Sequence, residues 1–358
     1  MVGQGALASM ALYMSMVSNI IYLDSPAGVG FSYSKNESDY STGTFKTAID
    51  SHIFLLEWFK LYPEFLPNPL FLAGESFAGV YIPTLAQQIV QGFKVGVMPK
   101  LNFKGYLIGN GVTDSTFDGN GIVPFAHGMG LISDQIFEVT SRLNTYNILE
   151  PCYHGPNTTS DNSLPLSFRK LGETDKPMPV RKRMFGRGWP LVQPLQSGNV
   201  PTWPQLSSHG HVGCVNDEVA TEWLNNEDVR KAIHTVEKSV VSQWEICTNN
   251  IDYKHDEDSM IPFHKNLTSE GYRALIFSGD HDFCVPYTGS QAWTYSLGYK
   301  IIDEWRPWLV DDQIAGFTQG YENNLTFLTI KGAGHTVPEY KPKESLYFYK
   351  QFLDGLPV

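Results

Sequence analysis

Leu70-Phe71-Leu72-Ala73-Gly74-Glu75-Ser76-Phe77-Ala78-Gly79 joins an apolar run of strand length to a serine held between small residues. Pro69 bounds the run on one side. After the serine, Ile82, Leu85, Ala86, Ile89 and Val90 trace one face of a helix that Gly92 is placed to end. A strand, a sharp turn and a helix form the setting that a nucleophile elbow demands. Gly74 and Ala78, two before and two after Ser76, let the backbone fold tightly so that the hydroxyl projects above a sheet. A plain Gly/Ser turn is the competing interpretation, because such strings are frequent.

Outward from this stretch, strand-like and helix-like patterns alternate. Ile20-Ile21-Tyr22-Leu23 is a short apolar run, Phe45, Ile49, Ile53 and Leu56 recur at helical spacing, and another strand is expected at residues 106–108. Residues 114–272 differ: periodicity weakens, prolines cluster between Pro151 and Pro204, and seven of the 26 basic residues fall between Arg169 and Arg187. Alternation resumes at residues 274–277, followed by Ser278-Gly279-Asp280, and at residues 325–330, followed by Gly332-Ala333-Gly334-His335. The pattern predicts an α/β fold with a mainly parallel sheet, its core formed by residues 1–113 and 273–358. A cap occupies 114–272, with a basic, Pro-rich loop at about 165–204.

Composition narrows the function. The 358 residues carry 26 Lys+Arg against 37 Asp+Glu, and a net charge of -11 opposes both nucleic acid and anionic lipid as partners. The uncharged stretch before Asp24 reads as a buried helix and strand rather than a targeting segment or membrane span. Sequons at Asn36, Asn157, Asn266 and Asn324 lean toward glycosylation in the secretory pathway. Locally ligand-like groups (His281 with Cys284, His209 with His211, and His255-Asp256-Glu257-Asp258) form no complete spaced set, so neither a metal nor another cofactor is expected.

A serine nucleophile needs a base, and the base needs a carboxylate to hold its tautomer. Asp282 and then His335 follow Ser76 in the chain, each just beyond a predicted strand, where open α/β sheets place their functional loops. Asp280 is the alternative acid. A cysteine nucleophile is the weaker alternative to Ser76.

These residues together resemble the serine carboxypeptidase family, particularly its plant members. The likeness runs through Ile20-Ile21-Tyr22-Leu23-Asp24-Ser25-Pro26, Gly28-Val29-Gly30-Phe31-Ser32-Tyr33, the serine turn, Gly109-Asn110-Gly111, Ser278-Gly279-Asp280-His281-Asp282 and Gly332-Ala333-Gly334-His335-Thr336-Val337-Pro338. The resemblance implies an α/β-hydrolase fold with a cap insertion, and a triad of Ser76, Asp282 and His335. It implies that C-terminal residues are released from peptides or proteins through an acyl-enzyme at acidic pH. The Phe77 amide would serve the oxyanion, while Glu75, sharing a proton, would bind the substrate's terminal carboxylate. Thr336 stands where family members that prefer basic residues carry an acid, so a hydrophobic leaving residue is expected. Cys152 is expected to pair with Cys214, and Cys284 to be a thiol near the site. A secretory, vacuolar or extracellular location and a homodimer fit the family, as does cleavage at Arg181-Lys182-Arg183. Some relatives use the same triad for acyl transfer from a glucose ester.

The family's W-L-N-G-G-P-G-C-S-S segment has no match in these 358 residues. That segment supplies a second oxyanion amide, carboxylate contacts, early strands of the sheet and the cysteine that would pair with Cys247. The expectation is therefore of a member truncated at its N-terminus, with a non-catalytic relative as the alternative.

Overall fold

The computed structural model describes residues 14–131, 218–248 and 250–358. Eight strands are present among them: β1 (Ser41–Gly43), β2 (Leu70–Glu75), β3 (Phe103–Gly109), β4 (Asp252–Lys254), β5 (Arg273–Gly279), β6 (Ile301–Val310), β7 (Gln313–Tyr321) and β8 (Leu325–Ile330). The helices are α1 (Thr44–Leu61), α2 (Ala78–Val95), α3 (Ser115–Gly128), α4 (Glu218–Asn225), α5 (Glu227–Ala232), α6 (Ile261–Ser269), α7 (Tyr287–Ser296), α8 (Val337–Tyr340) and α9 (Pro342–Asp354). No helix among the described residues is long and apolar enough to cross a membrane.

A six-stranded sheet runs in the order β2-β3-β5-β8-β7-β6, and its first four strands are parallel. The near-continuous apolar sequences of β3, β5 and β8 follow from burial on both faces, whereas β2, at the sheet edge, is only partly buried. Tyr106, Ile108, Ala274, Ile276 and Phe327 face one core with α1 and α2, whereas Leu107, Leu275, Phe277, Leu328 and Ile330 face a second core with Phe348 and Phe352 of α9. The two-residue alternation of strand side chains thus fills both layers.

Four local outcomes differ from the sequence pattern. Residues 20–23 form no strand, because an apolar run becomes one only beside a pairing neighbour, and none lies alongside among the described residues. Helix α1 forms as expected but with the opposite face inward: Thr44, Thr47, Ala48, Ser51, His52, Leu55 and Phe59 are buried, while Phe45, Ile49 and Ile53 are exposed. The inward face packs closely on α2, where Gly92 leaves room for the His52 ring: a Cβ there would come within 2.8 Å of His52 Cε1. Gly92 accordingly lies inside α2. The helix ends instead at Gly96, whose φ of 78° is the left-handed cap that glycine favours. The antiparallel β6–β7 hairpin, turning on Asp311 and Asp312 at positive φ, has no counterpart in the sequence reading.

Within residues 114–272, α3 packs along α7 and α6 packs against α2, so both ends of the expected cap lie on the sheet's helical layer. Residues 132–217, including the basic loop, Cys152, Cys214, Asn157, His209 and His211, lie outside the described residues.

Candidate active site

Ser76 sits at φ 60°, a conformation that costs any residue with a Cβ and is held here by backbone contacts on both sides. Its N–H donates to Gly109 O at 3.0 Å, and its carbonyl accepts from Gly79 N at 2.9 Å and Val112 N at 3.0 Å. The turn needs its small residues: a Cβ on Gly74 would strike that of Ala78, and one on Gly79 would press into the Val112 backbone. The Phe77 amide follows directly, at the head of α2.

The loops after β5 and β8 bring Asp282 and His335 together. His335 Nδ1 lies 2.8 Å from Asp282 Oδ2, and both side chains are buried. Asp282 Oδ1 accepts from Cys284 N at 2.9 Å, and Oδ2 accepts from Val285 N at 3.1 Å. Asp280 is engaged elsewhere, its Oδ1 accepting from Gly332 N at 2.7 Å. Desolvation pulls the His335 pKa down, but the charge and hydrogen bond of Asp282, and then the charge of Glu75, hold it above the ordinary imidazole value.

Glu75 joins these loops to the serine turn, because its Oε1 accepts from Val337 N at 3.1 Å. Burial raises its pKa to about 8, with His335 and the Val337 amide opposing and with Glu339 and Asp282 adding to the rise. It therefore holds a proton through the acidic and neutral range. Thr336 follows His335, and its Oγ1 donates to Glu339 Oε2 at 2.7 Å. Phe77 also heads an aromatic group, with ring centroids 5.0 Å from Tyr81, 5.7 Å from Tyr253 and 5.6 Å from His255.

Two residues here have no role that the sequence assigns. Asn110 is legible only as a member of Gly109-Asn110-Gly111, yet its amide contacts Asp282 at 2.8 Å. Glu339 lies one turn past His335, and its i, i+3 spacing from Thr336 is the available signal. The 255–258 run is exposed, as a solvated loop would be, but His255 joins the aromatic group and Asp256 Oδ2 accepts from Phe45 N at 3.1 Å. Asn36, Asn266 and Asn324 are all exposed. Cys284 and Cys247 are half-buried.

The model of the serine carboxypeptidase family matches residues 14–355. Serine carboxypeptidase-like 20 of Arabidopsis thaliana is 60% identical over 96% of this chain and 75% of its own length. Serine carboxypeptidase 1 of Hordeum vulgare is 56% identical over 95% of this chain and 74% of its own. Among solved structures, a prohormone-processing carboxypeptidase from Saccharomyces cerevisiae superposes with a TM-score of 0.68 at 18% identity, covering 93% of this chain and 73% of that one. That likeness speaks for the fold, which is that of the α/β hydrolases.

Proposed function

Because this chain belongs to the serine carboxypeptidase family, we propose that it releases C-terminal residues from peptides through an acyl-enzyme on Ser76. The observation that carries the proposal is the buried Asp282–His335 pair at 2.8 Å, set at the ends of the same parallel strands as the strained Ser76 turn.

Ser76 Oγ attacks the carbonyl carbon of the terminal peptide bond, and His335 takes its proton. Asp282 holds the imidazole in the tautomer that leaves the other ring nitrogen as base, and stabilises the cation that forms. His335 then passes the proton to the departing amine, and water repeats the sequence to free Ser76. Protonated Glu75 donates a hydrogen bond to the substrate's terminal carboxylate, an interaction favoured at acidic pH. The Phe77 amide serves the oxyanion. In the family the second donor comes from the W-L-N-G-G-P-G-C-S-S loop, and one oxyanion donor is worth about 100- to 1000-fold in turnover. Thr336 lines the pocket of the leaving side chain, which favours hydrophobic residues over basic ones. The exposed sequons fit a glycoprotein of the secretory pathway.

Incubation with a blocked dipeptide and, separately, with a glucose ester plus an acyl acceptor tests the reaction class. Release of the free C-terminal amino acid supports the proposal, and transfer to the acceptor without peptide hydrolysis supports an acyltransferase instead. Absence of both products from chain that melts cooperatively would leave a non-catalytic relative.

A further inference from the structure

We propose that Asn110 is a positioning residue that locks the Asp282 carboxylate to the backbone of the Ser76 turn, an inference that rests on the triad proposed above. Asn110 is fully buried at the end of β3, the strand lying between the one that leads to Ser76 and the one that leads to Asp282. Its backbone extends the sheet on both sides. Asn110 N donates to Phe277 O at 2.9 Å, while the preceding Gly109 O accepts from Ser76 N at 3.0 Å.

The side chain then reaches into the acid loop. Asn110 Oδ1 accepts from Gly279 N at 3.0 Å, and Nδ2 lies 2.8 Å from Asp282 Oδ2, 2.9 Å from Ser278 Oγ and 3.3 Å from Val285 O. A backbone N–H can only donate, so the amide oxygen must face Gly279 and the NH2 must face Asp282. Asp282 Oδ2 therefore accepts from two side chains, the His335 imidazole and the Asn110 amide, and the second fixes the carboxylate for the first. The backbone supports this choice of residue. Asn110 has a φ of 38°, in the left-handed region where asparagine is several-fold enriched over other residues with a Cβ.

The test uses the whole chain, with Asn110→Ala and Asn110→Asp beside the wild type. The readout is the rate at which a fluorophosphonate probe labels Ser76 as a function of pH, corrected for folded fraction by thermal unfolding. Losing a hydrogen bond to a charged acceptor slows Asn110→Ala labelling about 10- to 100-fold. That deficit should be constant with pH. In Asn110→Asp the introduced carboxyl group can replace the lost donor only while it shares a proton with Asp282, so the ratio of Asn110→Asp to wild-type rate should rise as pH falls. A purely structural role would lower the folded fraction and leave the two pH ratios alike. Labelling of folded Asn110→Ala within about twofold of wild type, or a flat Asn110→Asp ratio, overturns the inference. Labelling does not require peptide hydrolysis, so an inactive but labelled wild type would overturn the proposed reaction while still deciding the role of Asn110. A wild type that is folded but unlabelled overturns both.

Discussion

Val337 N donates to Glu75 Oε1 at 3.1 Å, which ties the residue before Ser76 to the second residue after His335. One carboxyl group, partly buried, thus bridges the nucleophile's turn and the base's loop.

With burial holding Glu75 near a pKa of about 8, the alkaline limb of peptide binding belongs to this group. KM for a blocked dipeptide should rise as pH passes through about 8, while kcat changes less. In Glu75→Gln that limb should vanish, while the acid limb set by His335 should stay in place, because Glu75 is already uncharged in the acidic range and Gln is its neutral counterpart. An unchanged KM profile in Glu75→Gln would remove Glu75 from carboxylate recognition.

Two raised carboxyl groups also predict how stability varies with pH. Asp118 Oδ2 holds the Thr113 and Asp114 amides, but its buried Oδ1 has no hydrogen-bond partner, and desolvation raises the group to about 7. Folded Glu75 and Asp118 therefore bind protons more tightly than in the unfolded chain. Their contribution is complete below the unfolded carboxyl range near pH 4 and is lost as pH climbs through about 7 and about 8. The wild-type Tm should fall over that interval by more than that of Glu75→Gln/Asp118→Asn. Parallel Tm curves for the two proteins would show that these carboxyl groups are not protonated in the fold.

Selectivity for the leaving residue should follow position 336. In the proposed pocket the Thr336 hydroxyl is spent on Glu339, which leaves its methyl group for the leaving side chain and gives a guanidinium no carboxylate at position 336 itself. Blocked dipeptides ending in Phe should turn over faster than those ending in Arg at pH about 5, and Thr336→Glu should narrow or reverse the ratio. Equal or better turnover of the Arg substrate by the wild type would shift the selectivity to Glu339.

The sequence reveals those parts of the fold in which local chemistry and burial agree. The β2 run, the Ser76 turn and the α2 face are legible because the strand is apolar and bounded by Pro69 and Gly74, because the helix buries one apolar stripe, and because a turn with positive φ selects small neighbours. The face of α1 is not legible. Its inward face packs on another helix at Gly92, and the apolar stripe of Phe45, Ile49 and Ile53 points the other way. Residues 20–23 look like a strand because they are apolar, but pairing depends on a neighbour that the run itself does not encode. The acid is ambiguous between Asp280 and Asp282 until the loop geometry places one on His335 and the other on the Gly332 amide. Asn110 escapes for a related reason, since its partners lie 168 to 175 residues away in the chain.

The most direct measurement is fluorophosphonate labelling of the whole chain, with the modified residue mapped by peptide mass in the wild type, Ser76→Ala, Asp282→Asn and His335→Ala. The account predicts a single adduct on Ser76 that is absent in Ser76→Ala. It also predicts slowing of about 10⁴-fold in Asp282→Asn, the size expected when the base is held in the wrong tautomer. His335→Ala should be slowed at least as much. Labelling at another residue, or at Ser76 with a rate indifferent to Asp282 and His335, would contradict it.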